Sequence, residues 1–366
     1  MTKRILHIFG TMNRGGAEMR TLSLMQKMRE QGVQFDFCVL SGQVGVLDQE
    51  IRRLGGQVYY CKLGLGFIPR FLALLRQHKF AGVHSHVAYV SGFILLLSRI
   101  AGIKLRIAHF RNTTDGADDS FIRKIRNHIL RGLIATCATH ILAVCIGAMR
   151  GFWGTAWEKD AKCQVIYNGF EVPTQPTDDS FWPKYIPNYQ GQKIIVNVAR
   201  MDVQKNHLRQ CQIFIELLNT KPDCLMVFIG KEDVQRKAAM TDLLAKHGVS
   251  TKVIFLGLQS DVMPFLQHAD LMLFPSLWEG LPGVVLEASS VGLPVLASDL
   301  SGIEEIAQQI SSVHIQTLKT TDLQWAQQLA KMLDNGFDKT HNIEQFKHSS
   351  FLMTRNIDKL YAVYSE

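Results

Sequence analysis

The sequence predicts an α/β protein built from two doubly wound domains in tandem. Three observations carry that expectation. Short apolar runs alternate with amphipathic stretches along the chain, the pattern of parallel strands joined by crossover helices. A polar stretch interrupted by four prolines, EVPTQPTDDSFWPKYIPNYQGQK, breaks the alternation near the middle. The 366 residues, 47% of them hydrophobic, also supply enough apolar mass for two domain-sized cores.

In the first half, strands are expected at residues 3–9, 34–40, 57–61, 81–86, 104–110, 139–144 and 163–167, with helices filling the gaps. After the first strand comes GTMNRGGAEMR, in which Gly15 and Gly16 open a helix beside the sheet. Further on, FIRKIRNHILRGLI at 121–134 sets Phe121, Ile122, Ile125, Ile129 and Leu133 at helical spacing, flanked by Arg123, Lys124, Arg126 and Arg131. The proline-rich stretch marks a linker over 171–192. Strands then resume in KIIVNVAR, CLMVFIG, VIFLG, DLMLFPS and PVLASD, each followed by a helix-like segment. The closing FLMTRNIDKLYAVYSE has helical spacing. The expected division is therefore a first domain over 1–170, a second over 193–345, and a C-terminal helix within 346–366 that returns to the first domain. Facing sheets would place a ligand at the carboxyl ends of strands, in a cleft between the two domains.

Composition narrows the classes. Seven cysteines without a CxxC pair or zinc-like spacing read as small buried hydrophobes in a reducing compartment. The N-terminus begins a strand at once and lacks the apolar core of a signal peptide, so secretion is not expected. The most apolar stretches, FILLLSRIAGI and LIATCATHILAVCI, are short of the ~20 residues of a spanning helix and carry Arg99 and His140. The net charge of +8 is uneven: residues 1–170 hold 23 Lys and Arg against 10 Asp and Glu, the remainder 17 against 22. A basic half of this kind suits an anionic partner, either a membrane surface, a phosphorylated lipid or nucleic acid.

The loop at Gly15-Gly16 asks which phosphate chemistry it serves. A nucleoside-triphosphatase loop needs Lys and Ser or Thr where Gly16 and Ala17 stand, and the dinucleotide fingerprint needs a third glycine spaced as G-x-G-x-x-G. Neither fits. In the second half, PSLWEGLPGVVLEASS places Glu279 and Glu287 on either side of the Gly280-Leu281-Pro282-Gly283 turn, where a helix should start with Pro282 in its first turn. The loop ARMDVQKN follows the second domain's first strand and carries Arg200 and Lys205, cations suited to a diphosphate leaving group. In the first half, His86 ends VHSH and His109 ends the next strand in RIAHFRN. Two histidines at neighbouring strand ends are candidate sugar contacts.

These motifs, in this order, resemble the retaining glycosyltransferases of the GT-B fold in the large group 4 family, which build bacterial surface polysaccharides and glycolipids. Glu279 and Glu287 match E-x(7)-E, Arg200 and Lys205 match R-x(4)-K, and Gly15 to Glu18 match G-G-A-E. VIYNGF at 165–170, FLG at 255–257 and SGIEE at 301–305 extend the likeness nearly end to end. FIGKED in place of a glycine-rich turn, and Cys145 in place of a Ser, depart from it.

The resemblance implies a GT-B architecture, two Rossmann-like domains facing across a cleft. It also implies transfer of a hexose from a nucleotide-diphosphate sugar, UDP favoured over GDP, to a saccharide or lipid-linked acceptor, without a separate cofactor. Retention would follow from front-face attack, the departing phosphate helping to deprotonate the acceptor. By the same analogy Glu287 binds the ribose, Glu279 and His109 the donor sugar, and Arg200 and Lys205 the diphosphate. Backbone groups of Gly15, Gly16, Gly280, Leu281 and Gly283 face the phosphates, and His86 lies nearer the acceptor. No Asp-x-Asp motif occurs, so a divalent metal is not expected. The basic first half and the 121–134 helix point to an anionic membrane surface, hence a cytoplasmic protein held peripherally at the inner face of the plasma membrane, with no nucleic acid partner. The alternatives are a nucleotide-sugar epimerase of the same architecture and a non-catalytic polyanion-binding module. A dehydrogenase fails for want of the dinucleotide fingerprint.

Overall fold

The computed structural model describes residues 2–112, 120–174 and 180–366. They form two units, Met1–Gly169 with Met353–Glu366, and Phe170–Leu352.

The first unit runs β1 (Lys3–Phe9), α1 (Gly16–Glu30), β2 (Val33–Val39), α2 (Asp48–Arg53), β3 (Val58–Tyr60), α3 (Phe67–His78), β4 (Gly82–Ser85), α4 (Ser91–Ile100), β5 (Leu105–Phe110), α5 (Phe121–Cys137), β6 (His140–Ala143), α6 (Ile146–Trp153) and β7 (Cys163–Val165). The strands make one parallel sheet in the order β3-β2-β1-β4-β5-β6-β7. The order reverses at β1 and β4, so the loops after these two strands part and leave a crevice at their carboxyl ends. Strand register sets His7 beside His84, and His109 beside Leu142. Neighbours across a parallel pair share a face, so the register carries these histidines onto a face otherwise built of Phe9, Phe35, Phe37 and Ile107.

The second unit runs β8 (Lys193–Val198), α7 (His207–Leu218), β9 (Cys224–Ile229), α8 (Val234–Lys246), β10 (Val253–Phe255), α9 (Met263–His268), β11 (Leu271–Phe274), α10 (Gly283–Ser290), β12 (Val295–Ser298), α11 (Ser301–Ala307), β13 (Val313–Gln316), α12 (Asp322–Asn335) and α13 (Lys339–His348). Its parallel sheet is ordered β10-β9-β8-β11-β12-β13, with the reversal at β8 and β11. Its core gathers Phe214, Met226, Phe228, Leu273 and the fully buried Trp325. The sequence pattern did not foresee β13. It is an edge strand whose His314 and Ile315 are exposed, so it lacks the continuous apolar run that marks the inner strands.

The last helix, α14 (Met353–Ser365), belongs to the first unit, where Ile357, Leu360, Val363 and Tyr364 enter the core beside α1 and β2. The return starts at Met353 rather than at 346, because α13 stays on the second unit: Asn342 Nδ2 donates to the Gly292 carbonyl at 3.0 Å. The linker region carries a 3-10 turn at Trp182–Lys184, and Trp182 Nε1 donates to the His268 carbonyl at 2.8 Å.

Candidate active site

In the second unit the chain leaves β8 through Arg200 and enters a 3-10 turn at Val203–Lys205, capped by the Asp202 carboxylate accepting from Lys205 N–H at 3.2 Å. Asn206, at φ 56°, is left-handed and turns the chain into α7. Three hydrogen bonds stitch this loop to the one following β11. Gln204 accepts from Leu277 N–H at 2.8 Å, its Nε2 donates to the Trp278 carbonyl at 2.6 Å, and Asn206 Nδ2 donates to the Pro275 carbonyl at 3.2 Å. The clamp brings Lys205 Nζ to Glu279 Oε1 at 2.5 Å, with side chains only 15% and 8% exposed. Lys205 also lies 5.0 Å from the centre of the Phe274 ring. This is a largely desolvated ion pair at the sheet's switch point.

Arg200 is not drawn into that pair. Its side chain is 73% exposed, and its nearest carboxylate is Asp202 at 3.6 Å. Pro282 is the N-cap of α10 rather than a residue of its first turn, so the helix begins at Gly283 and carries Glu287, half-buried, in its second turn. Two glycines shape the surroundings. A Cβ on Gly302, at the start of α11, would lie 1.6 Å from the Gly280 carbonyl oxygen, and one on Gly230, after β9, 2.0 Å from that of Ala199. The 280–283 turn and the approach to Arg200 are thus each held by a neighbour without a side chain.

In the first unit Gly15 is the N-cap of α1. A Cβ on Gly16 would meet nothing within 4 Å, so packing within the chain does not demand glycine there.

The histidines form a connected network. His86 Nε2 lies 3.0 Å from His7 Nδ1, His84 Nε2 2.9 Å from His109 Nδ1, and His84 Nδ1 2.7 Å from the Tyr364 hydroxyl. Arg111 Nε donates to His86 Nδ1 at 3.1 Å. A guanidinium can only donate, so His86 accepts at Nδ1, carries its proton on Nε2 and passes it toward His7. Burial holds all four imidazoles well below the usual histidine range, and the nearby Arg111 charge and neighbouring rings push the same way. Both His86 nitrogens are therefore engaged inside the protein, by Arg111 at Nδ1 and His7 at Nε2. His109 is 2% exposed, and its Nε2 has no partner among the described residues.

His7, His84 and His86 bring ring nitrogens within 4.8 Å of one another, the spacing of a metal set. The fixed charge of Arg111 beside His86 opposes a second cation there. Sequence reasoning passed over Arg111, His7, His84 and Tyr364. The Arg stood in the quoted RIAHFRN, but only sheet register and the return of α14 show what surrounds it.

Two doubly wound parallel sheets, each with charged groups at its switch-point strand ends, are the architecture of the GT-B class of glycosyltransferases. Residues 14–172 match the family model described as Glycosyltransferase Family 4, and 178–348 that described as Glycosyl transferases group 1. The chain is 30% identical over 336 residues to the capsular polysaccharide biosynthesis glycosyltransferase CapH of Staphylococcus aureus, covering 90% of each. It is 28% identical over 379 residues to the putative glycosyltransferase EpsF of Bacillus subtilis, covering 99% of this chain and 96% of the relative. Its fold matches that of HepE from Anabaena, solved in complex with UDP, with a TM-score of 0.80 at 16% identity over 100% of both chains. The chain belongs to glycosyltransferase family 4.

Proposed function

We propose that this glycosyltransferase moves a hexosyl group from a nucleotide-diphosphate sugar, with UDP as the favoured base, to a saccharide or lipid-linked acceptor. Configuration is retained, no divalent metal is needed, and the product is a surface polysaccharide or glycolipid. The observation that carries the reading is the Lys205–Glu279 pair. A diphosphate leaving group needs a cation where its charge develops, and Lys205 is a largely desolvated lysine at a strand end whose position Glu279 fixes.

In this reading the bond from the anomeric carbon to the phosphate oxygen breaks on the face where the acceptor oxygen attacks. The hydroxyl proton passes to the departing diphosphate. Lys205 and the exposed Arg200 stabilise that charge, with backbone N–H groups of Gly280, Leu281 and Gly283 as further donors. Glu287 binds the ribose hydroxyls. Glu279 binds the sugar while fixing Lys205, and His109 keeps Nε2 for the donor sugar. CapH, named for capsular polysaccharide, supports the product class.

The reading includes reversible attachment to an anionic membrane at its cytoplasmic face. On α5, Phe121, Ile122, Ile125 and Ile129 are 76, 79, 47 and 58% exposed instead of being packed into the unit, and they alternate with Arg123, Lys124 and Arg126. Exposed apolar side chains framed by cations suit the headgroup boundary. Among the described residues no helix is long and apolar enough to cross a membrane.

The test combines UDP- and GDP-sugars with a prenyl-diphosphate-linked sugar, with and without EDTA, and reads the product anomer by NMR. Nucleotide release that requires acceptor and survives EDTA, with the donor's anomeric configuration kept, is expected. Conversion of the donor sugar without any acceptor would establish an epimerase instead.

A further inference from the structure

The histidine network ends at a charge with no ion-pair partner among the described residues. Arg111 follows β5 at the mouth of the first unit's switch point, where it is half-buried. Its Nε is spent on His86. Nη1 donates to Asn168 Oδ1 at 2.9 Å, and Nη2 to Thr21 Oγ1 at 3.4 Å. Thr21 sits on α1 and itself donates to the Ala17 carbonyl at 2.9 Å, so its hydroxyl is fixed as an acceptor for the guanidinium. Three elements thus hold the fork in one orientation, each through a neutral group. Among the described residues no carboxylate lies within ion-pair distance, and Glu18, whose field Arg111 feels, forms no ion pair with it. Burial lowers the guanidinium to about 10, the mark of a cation short of counter-charge.

A fork with five N–H groups and three engaged keeps two donors, one on each Nη. Two remaining donors on a planar, pre-oriented cation suit the oxygens of a phosphate. Keeping a partly desolvated cation without an ion-pair partner is costly unless a ligand completes it.

We propose that Arg111 is the anion-binding residue of the first unit and grips a phosphate oxygen pair of a substrate diphosphate, with Thr21, Asn168 and His86 as its positioning residues. The inference rests on the glycosyltransferase reading for the identity of the anion, a phosphate ester carried by either the donor or a lipid-linked acceptor. The neutral His86, locked as acceptor at Nδ1, is part of the device. It holds the fork from behind without cancelling its charge.

The experiment uses the full chain and its R111Q and R111K variants. Isothermal titration with UDP, with farnesyl diphosphate and with inorganic pyrophosphate is read beside circular dichroism as a check on folding. Loss of charge-assisted hydrogen bonds should weaken pyrophosphate about 10- to 100-fold in R111Q. R111K should also weaken it, because an ammonium cannot span Thr21, Asn168, His86 and a phosphate together. Loss confined to UDP assigns the donor diphosphate, and loss confined to farnesyl diphosphate the acceptor. Unchanged affinity for all three ligands in folded R111K overturns the proposal, whether or not R111Q folds. Wild-type turnover alongside Arg111-independent diphosphate binding leaves the reaction reading standing and removes only this site. Arg111-dependent pyrophosphate binding in a chain that releases nucleotide to no acceptor does the reverse.

Discussion

At the scale of single residues, the second unit's site depends on two charges that need each other. Lys205→Ala should lower transfer at least ~100-fold, the loss seen when a transition-state charge stabiliser is removed. It should also leave Glu279, 8% exposed, without its counter-charge, so urea denaturation should show a destabilised second unit. Glu279→Gln keeps the size of the side chain but strands the lysine. Its turnover should fall while UDP affinity changes little, whereas Glu287→Ala should mainly weaken UDP. Steady-state kinetics and nucleotide titration separate the two, and equal loss of UDP affinity in both variants would refute the division of roles. That Lys205 and Glu279 lie in loops after neighbouring strands was legible, because each follows an apolar run by a few positions, a local pattern. Arg111 was not, since its partners come from α1, the end of β4 and the segment after β7.

At the scale of elements, a bare glycine sets the distance between α11 and the turn that starts α10. Gly302→Ala places a methyl 1.6 Å from the Gly280 carbonyl, so backbone must move, at a cost of about 1–3 kcal/mol or more. Chemical denaturation should register the loss, and UDP titration should show weaker binding, because the displaced turn carries Gly280, Leu281 and Gly283. Wild-type values for both would mean that the turn is not held this way. Helix α5 carries a different expectation. Changing Arg123, Lys124 and Arg126 to Glu should abolish co-sedimentation with anionic liposomes, each cation being worth ~1 kcal/mol near such a surface. Binding that ignores lipid charge and these changes would return α5 to an ordinary solvated helix. The amphipathic spacing of α5 was readable in the sequence. Which way its apolar side chains face was not, because spacing fixes a stripe and only tertiary packing decides whether the stripe is covered.

For the whole molecule, the histidine network predicts how stability varies with pH. His7, His84, His86 and His109 are held well below the usual range by burial, and all four lie in the first unit. Unfolded, they titrate near 6.5, so below that pH the unfolded chain binds protons that the folded one refuses. Stability is therefore fully present above 6.5 and falls as pH drops, by up to about 1.4 kcal/mol per pH unit for each histidine. In the second unit His207 is lowered to about 4 by burial, with Lys205 and Arg236 adding to the effect and Asp202 opposing it. Calorimetry between pH 7.5 and 5.5 should accordingly show the first unit's transition moving down faster than the second's. A Tm independent of pH for the first unit would contradict the buried neutral network. The two doubly wound sheets were readable from alternating apolar runs, because inner parallel strands are apolar throughout. The polar stripe through the first core was not, since it comes from register between strands far apart in sequence.

The place of α14 has a consequence for how the protein is made. Residues 170–352 leave the ribosome between the last strand of the first unit and the helix that closes it. At ordinary rates of synthesis that interval is on the order of 10–40 s. Throughout it, β1, β2 and α1 lack Ile357, Leu360, Val363 and Tyr364, and His84 lacks the hydroxyl that holds its Nδ1. The half of the protein translated first is thus the half completed last. The nascent chain passes through a stage in which a finished second unit hangs beside an open first one, its apolar face available to chaperones and proteases alike.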